Sequence, residues 1–296
     1  LTNITPNEYT THAEIKVQLI ETTDINPSNA FIQVYWPTEV SYNSSGTQTC
    51  SVPITIAVTE VCTVDTTNNF VKVDPYTLTT HLYILGPFVN PLGAVTTSTW
   101  QLIVYDNSNN LIMQKTDSIT YTTTSNAVTV DSATRPSDTT TVAKTANYTV
   151  TFTTATRMLS DSTIQLTFPI DQVKKDGSTS CFGTAALACT LTYLNATHFQ
   201  TEITQWCNAG AECTAGSCIP FILVDAINPS WVVDPLSSSV QIKTINNQLS
   251  GAIIDEITSG VTFSPSLTPG TLVDIEVNKD TSTNKVGEQT SYQINF

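Results

Sequence analysis

The 296-residue sequence is short of charge. Asp, Glu, Lys and Arg make up 12% of it, about half the ordinary share of ~25%. Only 11 residues are basic against 25 acidic, a formal net charge of −14. Phosphate binding needs clustered Lys and Arg, so this balance argues against nucleic acid as a partner. It argues equally against electrostatic docking on anionic lipid, and leaves solubility as the plain role of the acidity. No apolar run approaches a membrane span. Histidine is scarce: His12, His81 and His198 are scattered, which leaves little general-base capacity and few zinc ligands. No Gly-x-Ser-x-Gly elbow, P-loop or His-Glu-x-x-His is present. Most carboxylates fall in turns and linkers. The expectation is a protein that is not an enzyme and holds no cofactor.

The polar surface comes instead from Thr, Ser and Asn, and Thr suits a half-buried pleated surface. Hydrophobic residues reach 40%, enough for packed cores. The seven cysteines are Cys50, Cys62, Cys181, Cys189, Cys207, Cys213 and Cys218, and none forms a CxxC pair. Disulfides in an oxidising compartment account for them better than zinc does. Four sequons point to the same compartment: Asn3-Ile-Thr, Asn43-Ser-Ser, Asn147-Tyr-Thr and Asn195-Ala-Thr. The sequence starts at Leu1, with neither an initiator Met nor a leader peptide. The expectation is that a leader was removed or that the chain is a stretch of something longer.

Self-similarity organises the chain. Phe31-Ile-Gln-Val-Tyr-Trp-Pro37 matches Thr163-Ile-Gln-Leu-Thr-Phe-Pro169. Each is followed by a polar turn and a cysteine pair, Cys50/Cys62 and Cys181/Cys189. Phe88-Val-Asn-Pro91 matches Ala226-Ile-Asn-Pro229, and Trp100 to Tyr105 matches Val240 to Ile245. Ser118-Ile-Thr-Tyr121 matches Gly260-Val-Thr-Phe263. A third copy begins at the end, where Tyr292-Gln-Ile-Asn-Phe296 repeats Tyr148-Thr-Val-Thr-Phe152. The expected division is a first module over 1–128, a second over 129–272, and a linker with the first strand of a third over 273–296. That last strand belongs either to a continuing tandem array or to a neighbouring subunit, completed by strand addition.

The local signal has period two. Ile15, Val17 and Leu19 alternate with Lys16 and Gln18, and Ile164, Leu166 and Phe168 alternate with Gln165 and Thr167. Turn signals punctuate the strands at Asn43-Ser-Ser-Gly46, Asp106 to Asn110, Asp176-Gly177 and Asn246-Asn247. No convincing helix is present. The expected fold is all-β, a tandem of immunoglobulin-like antiparallel β-sandwich modules without the antibody Cys…Trp…Cys spacing. The segments from Tyr121 to Thr141 and from Phe263 to Asn284 read as extended connections, in which Val130 and Ile275 can still pair into a sheet. The stretch from Arg135 to Thr141 reads as the most exposed.

Cys50/Cys62 and Cys181/Cys189 would each close a small loop, a constraint of roughly 2–3 kcal/mol by chain entropy. An insertion at 206–218 carries Cys207, Cys213 and Cys218, of which one pair is expected and one cysteine is left over. Trp206 and Trp231 are candidates for stacking on sugars. Asp131, Asp138, Asp274, Glu276 and Asp280 lie near module junctions. They read as solvated linker charge rather than as a calcium site, which needs several oxygen ligands at one point.

The combination resembles modules of very large Thr/Ser-rich surface proteins of protists, particularly ciliates. The matching residues are Tyr148 to Phe152, Ile164 to Pro169, Cys181, Cys189, Ile227 to Pro229 and Val240 to Asn246. The first module departs from it with Val89 before Asn90-Pro91. The resemblance implies an extracellular or cell-surface repeat protein, with no enzymatic activity and no transferable binding residue. The expected function is a structural component of a glycosylated fibre or coat, partnered by covalent glycans and by copies of itself or further modules. The alternative is an adhesin or carbohydrate-binding surface protein.

Overall fold

The computed structural model of the chain describes residues 11–17, 30–43, 49–51, 61–74, 81–115, 119–182, 189–204, 213–214, 216, 218–232, 238–271, 276–279 and 292–295. Among them the regular structure is strand, apart from 3₁₀ turns at Ser137–Thr139 and Asn247–Leu249. The fold is all-β, with sheets that are antiparallel apart from one short parallel pairing of Asn126 and Ala127 with Asp255 and Glu256, stacked as immunoglobulin-like sandwiches.

The first sandwich uses β1 (Thr11–Val17), β2 (Ala30–Tyr35), β3 (Ser41–Tyr42), β4 (Thr49–Ser51), β5 (Val61–Asp65), β6 (Phe70–Asp74), β7 (His81–Val89), β8 (Gln101–Asp106) and β9 (Leu111–Gln114). In one sheet β7 pairs with β1, β3 and β4, and the other runs β5-β6-β2-β8-β9. Alternation sends Ile32, Val34, Val71, Val73 and Val104 inward. Phe88 meets Trp36 and Trp100 edge-on, with ring centroids 5.4 and 5.3 Å apart.

The second sandwich uses β10 (Asn126–Ala127), β11 (Thr129–Thr134), β12 (Thr145–Thr153), β13 (Thr163–Pro169), β14 (Ser180–Phe182), β15 (Thr190–Tyr193), β16 (His198–Thr204), β17 (Cys218–Ile227), β18 (Gln241–Asn246) and β19 (Ala252–Ile257). Its sheets run β11-β12-β17-β14 and β10-β19-β18-β13-β16-β15. Tyr148, Val150 and Phe152 of one sheet face Ile164, Leu166, Phe168 and Phe199 of the other, all fully buried.

The repeat extends to register. Ile32 is paired with Val73 and Val104, and Ile164 with Ile203 and Thr244. Cys50 sits opposite Leu85, and Cys181 opposite Leu223. A last hairpin, β20 (Glu276–Lys279) with β21 (Tyr292–Asn295), sets Val277 opposite Ile294, much as β11 and β12 set Ala133 opposite Val150.

One expectation fails at Arg135, which is only 4% exposed although the residues after it, Pro136 to Asp138, are exposed. Its guanidinium lies 5.3 Å from the Tyr148 ring and 5.8 Å from the Phe263 ring, and Nη2 donates to the Phe263 carbonyl at 3.4 Å. Two aromatic faces thus take up a cation that the sequence pattern leaves in water. The same stretch is tied down by backbone bridges from Thr134 to Ser264 and from Thr141 to Thr268.

Candidate functional site

The most extensively built contact is the junction between the sandwiches. It starts where β7 ends, at Asn90-Pro91. Leu92 leaves its own sandwich and packs into the core cluster of the second, 9% exposed. Ala94 forms a backbone bridge to Ile253, its N–H donating to the Ile253 carbonyl at 2.6 Å. Asn246 Nδ2 donates to the Leu92 carbonyl at 2.8 Å. Gly93 lies between them at φ +149°, and a Cβ there would stand 2.8 Å from the Ala252 Cβ. From the first side, Thr123 Oγ1 donates to the Gly93 carbonyl at 2.6 Å. The returning chain adds a Ser125–Glu256 bond of 2.8 Å and an Asn126–Thr156 bond of 2.7 Å, and Val128 enters the second core. Sequence reading missed this contact. Its only trace there is that Leu92-Gly93 stands where the second copy has Ser230-Trp231.

A second feature is the pole of the second sandwich that carries the Asn228-Pro229 turn. Trp231 is 49% exposed and Val232 40%. Lys174 Nζ lies 4.4 Å from the Trp231 ring centroid and 3.0 Å from Ser230 Oγ. Next to it Lys175 Nζ lies 4.2 Å from the Tyr193 ring, and the Tyr193 hydroxyl donates to the Lys175 carbonyl at 2.9 Å. Two exposed aromatics, each with one face under an ammonium, form a wet surface with fixed rings. The adjacent Lys pair in so acidic a chain is the sequence signal that points to it. Trp206 lies outside the described residues.

The remaining candidate residues are dispersed. Asn147 and Asn195 are exposed, and Asn43 is half-buried. Asn147 Oδ1 accepts the Asp225 N–H at 3.1 Å, at a bulge where Asp225 has φ +54°. Asn195 caps the β15–β16 turn, its Oδ1 accepting from Thr197 N and Oγ1 at 2.8 Å. Asn3 lies outside the described residues. Cys181 and Cys189 form a disulfide with Cα atoms 5.5 Å apart. Cys62 of the first sandwich and Cys213 of the second each belong to a further disulfide. The side chains of Cys50, Cys207 and Cys218 lie outside the described residues.

Of the junction carboxylates, Asp131 accepts from Thr153 Oγ1 at 2.9 Å and Glu276 is exposed. Asp274 and Asp280 lie outside the described residues. No group of three His, Cys, Asp or Glu able to hold a metal occurs among the described residues, and no helix there is long and apolar enough to cross a membrane. One carboxylate departs from the surface pattern. Asp255 in β19 is fully buried, and burial holds its carboxyl above the usual range, against hydrogen bonds from Thr156 and Ala155 that pull it down.

No protein-family model and no curated protein sequence matches the chain. Among solved structures it is similar to the type II cohesin dyad from the adaptor ScaA scaffoldin of Acetivibrio cellulolyticus, at 10% identity over 90% of this chain and 94% of that one, with a TM-score of 0.26. A biofilm-associated protein B domain is 8% identical over 87% of this chain and 88% of that one, with a TM-score of 0.23. A structure reporting manganese lipoxygenase of Gaeumannomyces graminis and part of zonadhesin of Komagataella pastoris is 9% identical over 84% of each chain, with a TM-score of 0.21.

Proposed function

We propose that the chain is a structural component of a glycosylated extracellular fibre or cell-surface coat, built from tandem β-sandwich modules. The observation that carries this reading is the junction. A chain whose modules act separately has no reason to bury Leu92 of one sandwich in the core of the next. A chain that must transmit shape along its length does. The β20–β21 hairpin supports a further repeat, because it has the register of β11–β12. Its strand can complete a module of the same chain or, by strand exchange, a module of a neighbour. The disulfides and the exposed Asn147 and Asn195 suit an oxidising, glycosylating compartment. The resemblance to protist surface modules points the same way. Electron microscopy of native material tests the reading, and a field of free globular monomers without filaments or arrays rejects it.

The second reading, a carbohydrate-binding adhesin, is favoured by the half-exposed Trp231. A glycan array without hits, or with hits unchanged by Trp231→Ala, removes it.

A further inference from the structure

The internal junction has a donor and an acceptor. The donor is the turn after β7, Leu92-Gly93-Ala94. The acceptor is the β18–β19 hairpin, with Asn246, Ala252 and Ile253. Register places both parts on each sandwich. Ile245 is paired with Ile253 in the second and Tyr105 with Leu111 in the first, so Leu111 stands where Ile253 does. The Asn-Pro turns place Ser230, Trp231 and Val232 where Leu92, Gly93 and Ala94 stand. The internal junction therefore uses the donor of the first sandwich and the acceptor of the second, and leaves one of each without cover among the described residues. These open parts are among the most exposed apolar residues described: Leu111 at 56%, Trp231 at 49% and Val232 at 40%.

Charge matches as well. Lys174 and Lys175 flank the open donor. At the open acceptor, Asp106 takes the place of Asn246, with its carboxylate accepting from Ser108 N, Asn110 N and Asn110 Nδ2. An acidic chain repels its own copies in general, so a basic donor facing an acidic acceptor selects one orientation.

We propose that Trp231 and Val232 of one copy dock on Leu111 at the β8–β9 turn of a second copy, head to tail. The proposal rests on the fibre reading and names its contact surface. The contact is heterologous, so it propagates instead of closing. It is not a replica of the internal junction. Trp231 has a side chain where Gly93 has no room for a Cβ against Ala252, so the outer joint packs an indole, held by Lys174, in place of a close backbone approach. That exchange makes a firm internal joint and a separable external one.

The experiment uses the full chain, secreted and glycosylated, in analytical ultracentrifugation. Wild type is expected to form larger species with rising concentration. Leu111→Asp blocks the acceptor and Val232→Asp the donor, and each is expected to weaken self-association by about tenfold or more. Each variant keeps one intact end, so an equimolar mixture is expected to give dimers and nothing longer. Circular dichroism and thermal melts of both variants, expected to match wild type, establish that they fold. A mixture that stays monomeric overturns the proposal, as does assembly of both variants at wild-type strength or a wild type that never self-associates. Filaments of native material that persist in both variants sink the surface assignment alone. The absence of filaments from native material sinks the fibre reading instead.

Discussion

Asn228 is the residue whose loss should harm the second sandwich most per atom removed. It is fully buried. Its Oδ1 accepts from the Tyr148 hydroxyl, and its Nδ2 donates to the carbonyls of Thr139 and Thr141 at 2.5 and 2.6 Å. One amide thus ties the opening strand, the stretch that precedes it and the turn after β17. Asn228→Ala removes three hydrogen bonds at about 1 kcal/mol each, so destabilisation of about 3 kcal/mol is expected. That corresponds to a melting point about 6–12 °C lower. Tyr148→Phe removes one bond and should cost about 1 kcal/mol. In the double variant the costs should fall short of their sum by about the same amount, since the shared bond is lost only once. Hydrogen exchange read peptide by peptide assigns the loss to the right sandwich. Tyr148 adds a pH signature, because burial pushes its hydroxyl up to about 12. The unfolded chain ionises it near 10, so stability falls as pH rises from about 10 to 12, and Tyr148→Phe should flatten that slope. An Asn228→Ala variant within 1 kcal/mol of wild type, or no coupling with Tyr148→Phe, refutes the reasoning.

Asp255→Asn should stabilise the protein at pH 7. The folded carboxyl is held up by burial, so stability is fullest below the unfolded pKa of about 4 and falls as pH rises through the folded value. Urea midpoints at pH 4 and pH 7 check this, and a less stable Asn variant at pH 7 contradicts it. Gly93→Val should open the junction, because its Cβ would meet the Ala252 Cβ at 2.8 Å. Exchange of the Ala94 amide, bonded to Ile253, should speed up about tenfold or more, and unchanged exchange would show that the joint yields freely. Replacing Cys181 and Cys189 by Ser should cost about 2–3 kcal/mol in urea unfolding, from the short loop they close. No change would mean that the loop is ordered without its bond.

Period-two alternation made the strands legible because it follows from one face of each strand being buried. The copies of Ile-Gln-Val and Ile-Gln-Leu come to lie in the same register for that reason. Long-range partners left no such pattern. Asn-Pro reads as a turn, yet in both sandwiches its Asn is buried and accepts a tyrosine hydroxyl. Tyr121 reaches Asn90 at 3.0 Å from the end of the first module, and Tyr148 reaches Asn228 from the opening of the second. Phe263 fills the place of Tyr121, so the donor has moved while the acceptor has stayed. The burial of Arg135 was hidden in the same way, since its aromatic partners Tyr148 and Phe263 are 13 and 128 residues away. Trp36 and Trp100 are core residues while Trp231 is half-exposed. Nothing in the residue type separates them; only the register does.

The junction also bears on how such modules share stability. Leu92 and Val128 come from the first module and its tail, yet both belong to the core cluster of the second. Unfolding the first sandwich would strip them away and expose Ile253 and Ala252, so the stability of the second sandwich includes an interface contribution from the first. A polar linker would have left the modules independent. At the Trp231 pole the second sandwich has no cover among the described residues, and at the Leu111 turn the first has none. If copies join at these poles, each gains there what the internal junction already gives. Assembly should then raise the melting point of both sandwiches with protein concentration, and the Leu111→Asp and Val232→Asp variants should lose that dependence while keeping the monomer's melting point.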